Sequence, residues 1–350
     1  MKKFMKGCAI LMASLMVLST TAFAEETEAA AAGEEIPVEV VDLSDKGFKV
    51  GFAQDTLNQP WRANQADCVV KAFAKYGIEC EVTDGGGSSE TQISNIEDMV
   101  VGGLDLLIVS PAQEAALTST VEEVYNSGIP VVCIDRGITS DGRTCFVHGD
   151  NYKMGVMVAD WIAEKLTEKY GEPKGNIVLL EGVAGATTTV QRSDGFLGRI
   201  EEAYPDMKII VNQPADFNRA TAMSLMEDAL QTYDQIDAVF TEADESTMGA
   251  LAAIEHADRR DEILITSVNG TTEGIEAIVD GRMDMTVMYT NCSGPGVDMA
   301  CKILQGEEVP SDITIDPFIV DASNAEEYYN EGTYSPDPME LSASTYTVTW

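Results

Sequence analysis

Residues able to read a polyhydroxylated ligand recur at several places in this chain. In Asn58-Gln59-Pro60-Trp61-Arg62, amide and guanidinium donors flank an indole face. That combination suits a sugar, whose ring is apolar on its C–H face and polar around its rim. The plain alternative is that Trp61 is the first core residue of a helix, since Trp is so often buried. Asp135-Arg136 directly follows the apolar run VVCI and sets acceptors beside donors for hydroxyl groups. A structural ion pair at a strand end would look the same. Arg192 follows the glycines and threonines of EGVAGATTTVQRSDGF. Further polar loops stand at Asp216-Phe217-Asn218-Arg219, Glu242-Ala243-Asp244-Glu245 and Asn269-Gly270. Each of these alone is compatible with a helix cap or a solvated turn.

Other chemistries find little support. No G-x-x-x-x-G-K-[ST] follows a strand, and the glycines at Gly85 to Gly87 lack the dinucleotide-binding spacing. The chain has only His148 and His256 and no C-x-x-C, so zinc and histidine-based catalysis are not expected. No calcium loop and no cofactor signature is present. A hydrolase nucleophile elbow is missing as well. A carboxylate-pair glycosidase stays open, because 59 Asp and Glu cannot be ruled out by counting. With 22 Lys and Arg, a net charge of −37 and a pI near 4.1, the chain would be repelled by phosphate backbones, which argues against nucleic acid.

The elements that must position these residues alternate. Phe48 to Ala53, Glu79 to Thr83, Leu104 to Val109, Pro130 to Asp135 and Thr144 to His148 read as strands. Helices are expected from Trp61 to Tyr76, from Ser88 to Gly102, and after Ser110-Pro111, taken as a cap and an N1 proline. After a helix from Tyr152 to Tyr170, strands are expected at Ile177 to Leu180, Lys208 to Val211, Ala238 to Thr241, Ile263 to Val268 and Met283 to Met288, with helices between them. About ten strands exceed one typical sheet. The reading is therefore an α/β fold of two doubly wound parallel-sheet lobes. In such sheets ligands sit beyond the carboxyl ends of strands, where the polar loops lie.

Residues 1–24 combine Lys2, Lys3 and Lys6, an apolar stretch from Ala9 to Leu18, and Ala22-Phe23-Ala24. This pattern predicts an export signal cleaved before Glu25. The stretch is shorter than the ~20 residues of a spanning helix. Cleavage would remove three lysines and no acids, taking the charge from −37 to −40. Bulk acidity of this kind favours solubility outside the cell. Residues 25–45 form an acidic, alanine-rich tether. Cys68, Cys80, Cys133, Cys145, Cys292 and Cys301 would remain, as disulfides permitted by export or as buried thiols; spacing does not decide.

TLNQPWR, PVVCIDRG, GDNYKMG, LEGVAGATTTVQRSDGF, QPADFNRATAM, FTEADESTMGALAAI and NGTTEG resemble, in order and spacing, the periplasmic sugar-binding proteins of the ribose and galactose type. The resemblance runs from about Lys49 to Val320. It implies two lobes joined by a three-crossover hinge, with crossovers near Gly149, Tyr289 to Thr290 and Thr314. The first lobe would then be residues 46–149 plus 290–314, the second 150–289 plus 315–325, with residues 326–350 as an extension. The resemblance also implies that Gln59, Trp61, Asp135 and Arg136 bind ligand from the first lobe, and the loop after the first strand adds Asn58 and Arg62 at the mouth. Arg192, Phe217, Asn269 and Tyr289 would do so from the second. Ala243 stands where the family has asparagine, Asn269 where it has aspartate, and Tyr289 where it has glutamine. Arg62 replaces a second aromatic, and the Trp-Arg pair is similar to the galactofuranose-binding branch. A monosaccharide in the cleft, an ABC permease or a sensory receptor as membrane partner, and a monomeric exported protein are what this resemblance implies.

Overall fold

The computed structural model describes residues 36, 38–331, 333–334 and 346–350. The expected export signal with Cys8, and residues 25–35 of the tether, lie outside the described residues.

The first lobe begins β1 (Val50–Gln54), α1 (Pro60–Lys75), β2 (Cys80–Asp84), α2 (Ser89–Val101), β3 (Leu106–Val109), α3 (Glu114–Asn126), β4 (Val131–Ile134) and β5 (Cys145–Gly149). The chain then enters the second lobe with α4 (Asn151–Tyr170), β6 (Gly175–Glu181), α5 (Thr187–Ala203), β7 (Met207–Pro214), α6 (Arg219–Thr232), β8 (Ala238–Thr241), α7 (Asp244–His256), β9 (Leu264–Asn269), α8 (Thr272–Val279) and β10 (Met285–Met288). It returns through α9 (Ser293–Leu304) and β11 (Asp312–Ile315), which join the first lobe. β12 (Phe318–Asp321) and α10 (Ala325–Tyr328) belong to the second, and β13 (Tyr346–Thr349) closes the chain back on the first.

One sheet runs β13-β11-β5-β4-β3-β1-β2 and the other β12-β10-β9-β8-β6-β7. The central strands are short and apolar on both faces. LLIV of β3, VVCI of β4 and AVFT of β8 are buried throughout, as strands between two helical layers must be. Alternate side chains feed opposite layers. Phe52, Ile108 and Ile134 point into one cluster, while Ala53, Val109 and Cys133 point into the other.

Three features depart from the sequence expectations. The sheets are not wholly parallel, since β12 pairs antiparallel with β10 and β13 antiparallel with β11. Parallel strands of both sheets end towards the cleft, so β12, which starts two residues after β11 ends, has to run the other way. Ser110-Pro111 does not start α3, whose N-cap is Gln113. Ser110 is instead fully buried, with its hydroxyl in the cleft network described below. The tether is also ordered earlier than expected: Leu43 is buried in the first lobe's core, and its N–H donates to the Tyr76 carbonyl at 2.8 Å.

Candidate functional site: a cleft between the two sheets

The carboxyl ends of the strands of both sheets face one cleft, which encloses about 390 Å³ including its mouth. Gln59, Trp61, Arg62 and Asp135 line it from the first lobe. Thr188, Arg192, Phe217, Ala243, Glu245, Asn269 and Tyr289 line it from the second.

Asp135 follows β4 and has φ of 65°, a left-handed backbone that turns its carboxylate into the cleft. Phe217 and Asn269 also hold positive φ, at 53° and 129°. Such backbones cost about 1–3 kcal/mol each and persist where the surroundings over-determine them, which is characteristic of ligand sites.

Asp135 is 1% exposed and accepts hydrogen bonds from Arg62 Nη1 and the Tyr289 hydroxyl. Ser110 Oγ donates to it at 3.4 Å. Burial alone would raise the Asp135 carboxyl, but the Arg62 and Arg136 guanidinia outweigh burial and hold it below the ordinary carboxylate range. Arg62 in turn reaches Gln65 Oε1 and Ser110 Oγ at 3.1 Å each, and its Nε lies 3.3 Å from Asp55 Oδ1. Burial opposes the Arg62 charge, yet Asp135 and Asp55 more than offset it and raise its pKa. The Tyr289 hydroxyl is pushed well above its usual value by burial and by Asp135, so it stays a neutral donor.

The aromatic groups span the cleft. Trp61, at the start of α1, stacks on Tyr289 with ring centres 5.7 Å apart and planes 14° from parallel. Arg62 lies over the Trp61 ring at 4.7 Å, and Arg192 over the Tyr289 ring at 4.8 Å. Two glycines make room for these rings. A Cβ at Gly149 would stand 2.5 Å from Tyr289 Cε2, and one at Gly182 would stand 2.0 Å from Phe217 Cζ.

Arg192, on α5, donates from Nε to Asn151 Oδ1 at 2.9 Å and from Nη1 to the Glu242 carbonyl at 2.6 Å. Burial lowers its pKa. The Glu242 carboxyl accepts from Gly182 N–H and Ser193 Oγ, both at 2.8 Å. Its burial nevertheless pushes its pKa up to about 8.

Eight of the ten residues singled out from the sequence come together here: Gln59, Trp61, Arg62, Asp135, Arg192, Phe217, Asn269 and Tyr289. Asn58 and Arg136 do not line the cleft. Asn58 is exposed, with its N–H on Thr56 Oγ1 at 3.1 Å. Arg136 is buried beneath the cleft and donates to Asp55 Oδ2 at 2.8 Å and to the Pro111 and Ala112 carbonyls at 3.3 Å. It braces the Asp55 that faces Arg62. Thr188 and Glu245 were not singled out. Both sit in the first turn of a helix that follows a strand, α5 and α7, and that placement was the available signal.

Residues 50–308 match the family described as periplasmic binding protein domain. The ribose import binding protein RbsB of Haemophilus influenzae is 30% identical over 269 residues, covering 76% of this chain and 89% of that protein. The galactofuranose-binding protein YtfQ of Escherichia coli is 29% identical over 275 residues, covering 76% and 85%. Among solved structures, the fructose binding periplasmic domain of the hybrid two component system BT1754 superposes with a TM-score of 0.74 at 32% identity, over 80% of this chain and 92% of that one. All three are named as binding proteins or domains.

Proposed function

The chain belongs to the periplasmic binding protein domain family, and from that premise we propose that it is the substrate-binding component of an ABC sugar importer. It is exported with its leader removed before Glu25, acts as a monomer, and holds a monosaccharide between its lobes without chemistry. The loaded protein then presents itself to a membrane permease. Hinge closure around a ligand is established behaviour for periplasmic binding proteins; here the two halves of the lining already meet, through the Trp61–Tyr289 stack and the Tyr289 hydroxyl on Asp135.

The observation that carries this reading is the make-up of the cleft. The faces of Trp61, Phe217 and Tyr289 are combined with the polar groups of Gln59, Arg62, Asp135, Arg192 and Asn269, drawn from both lobes. Aromatic faces take the C–H side of a sugar ring, and the charged and amide groups take its hydroxyls. Ligand contacts shared between lobes favour the closed form.

A thermal-shift screen against pentoses and hexoses tests this. A ligand at 100 times its Kd adds about 2.7 kcal/mol. For roughly 300 ordered residues, with an unfolding entropy of about 0.6 kcal/mol/K, that corresponds to a rise of about 4 °C. Arg192→Ala should weaken a confirmed sugar about 10- to 100-fold in titration calorimetry, from the worth of charge-assisted hydrogen bonds. A loss under about threefold would remove Arg192 from the site.

One observation favours a second partner. The superposed fructose-binding domain belongs to a two component system, so the closed form of this chain would serve equally to engage a sensory receptor. Pull-down from membranes with and without sugar separates permease from receptor. Turnover of a chromogenic glycoside panel would overturn the assignment as a binding protein.

A further inference from the structure

We infer that Tyr334, in the C-terminal segment, is a positioning residue for the sugar site: its hydroxyl holds the Glu245 carboxylate at the cleft, where Glu245 accepts a hydroxyl of the ligand. The inference rests on the monosaccharide reading above and adds to it one contact and the support of that contact.

Among the described residues, two carboxylates line the cleft, Asp135 and Glu245, and they are not equally available. The Asp135 side chain is 1% exposed and already accepts from Arg62, Tyr289 and Ser110. The Glu245 side chain, in the first turn of α7, is 17% exposed. It accepts from Arg219 Nη2 on Oε2 at 2.9 Å and from the Tyr334 hydroxyl on Oε1 at 3.3 Å. A carboxylate has about four acceptor sites, so Glu245 keeps acceptor capacity for a ligand hydroxyl that Asp135 has largely spent.

Arg219 alone is a loose anchor for Glu245. Its side chain is 47% exposed, and its Nη1 and Nη2 also donate to Glu273 at 3.0 and 2.7 Å. A solvated ion pair with a shared partner fixes geometry weakly. Tyr334 is held by its backbone instead. Its carbonyl accepts from the Thr272 N–H at 2.9 Å, at the first residue of α8, and Thr272 Oγ1 lies 3.3 Å from Thr333 Oγ1. The first N–H groups of a helix have no intrahelical partner, so this contact meets a standing need of α8 and fixes the segment beside the cleft. Burial, and after it Glu245, push the Tyr334 hydroxyl well above its ordinary pKa, which keeps it a neutral donor.

Tyr334 lies beyond the matched residues 50–308, so the C-terminal segment reaches back to the site from outside that core. An acceptor held in place before the ligand arrives loses less side-chain freedom on binding. Removing the Tyr334 hydroxyl therefore loosens Glu245 without opening a gap in the packing.

Calorimetry on the whole chain provides the test, using as probe the tightest binder among D-ribose, L-arabinose, D-xylose, D-galactose, D-glucose and D-fructose. Glu245→Ala should weaken it about 10-fold or more, the scale of one charge-assisted hydrogen bond. That change leaves Arg219 with Glu273 at 2.7 Å and strands no buried charge. Tyr334→Phe, which keeps the ring, should weaken binding about threefold or more, with a melting temperature within about 2 °C of the parent's. In the Glu245→Ala background the same Tyr334→Phe change should alter affinity less than about 1.5-fold, because it acts through Glu245. A purely structural role for Tyr334 would weaken binding equally in both backgrounds. That result, or unchanged affinity in either single variant, would overturn the inference and leave the sugar-site reading standing. No binding by any of these sugars to the parent chain overturns both.

Discussion

Removing the Asp135 carboxylate should destabilise the protein through Arg62, before any ligand is considered. Asp135 is 1% exposed and Arg62 4%, so neither charge is solvated. In Asp135→Ala, Arg62 keeps only Asp55 as a countercharge, 3.3 Å from its Nε, and that carboxylate already serves Arg136 at 2.8 Å. The Tyr289 hydroxyl and Ser110 Oγ lose an acceptor as well. Breaking a buried pair and leaving one charge behind costs about 3–5 kcal/mol. Divided by an unfolding entropy of about 0.6 kcal/mol/K for roughly 300 ordered residues, this predicts a melting temperature about 5–8 °C lower. Calorimetric melting without sugar measures it. Asp135→Ala with Arg62→Leu should be less destabilised than the sum of the two single variants, because the second change removes the stranded charge. A shift under about 2 °C in Asp135→Ala, or strict additivity in the double variant, would refute the dependence of Arg62 on Asp135, since both follow from the stranded-charge cost.

Other perturbations follow from the same geometry. Glu242 has its folded pKa raised from 4.5 to about 8, so its contribution to stability is complete below pH 4.5 and is lost as pH rises through about 8. The full loss is on the order of 5 kcal/mol at most. Glu242→Gln should flatten the fall in melting temperature between pH 5 and 9, and an unchanged pH profile would count against it. Gly182→Ala should displace Phe217, whose Cζ would lie 2.0 Å from the new Cβ. Sugar affinity should drop at least about 10-fold with a smaller loss of stability, as expected for a misplaced stacking ring, and unchanged affinity would remove Phe217 from the binding contacts. Cys80, Cys133, Cys145 and Cys301 have thiols pushed up to about 12 by burial. They should resist alkylation at pH 8 in the native state, and peptide mapping that finds them modified without denaturant would contradict their burial.

Much of the fold was legible because short apolar runs such as LLIV and VVCI have one physical solution, burial between two helical layers. The polar loops beyond them were legible for the same reason, since residues that follow a buried strand arrive at the sheet's end. What escaped was which way each side chain turns there. Asp135 and Arg136 were read as a pair acting together on a ligand. Successive residues of an extended chain point to opposite sides, and once φ of 65° carries Asp135 into the cleft, Arg136 is left to pack beneath it. Ser110 was read as a helix cap because local pattern favours that use, but a hydroxyl beside Arg62 and Asp135 is worth more as part of their buried network. The antiparallel edges were missed for a different reason. YTVT of β13 alternates as a strand should, yet its partner β11 lies more than 30 residues upstream and nothing local points to it. Tyr289 shows the limit most sharply: its hydroxyl meets Asp135, 154 residues away in sequence and from the opposite lobe. Residue types and strand ends therefore determine which groups reach the cleft. The division between groups left for a ligand and groups already paired is set only when the two lobes face each other, as the Tyr289 hydroxyl on Asp135 makes plain.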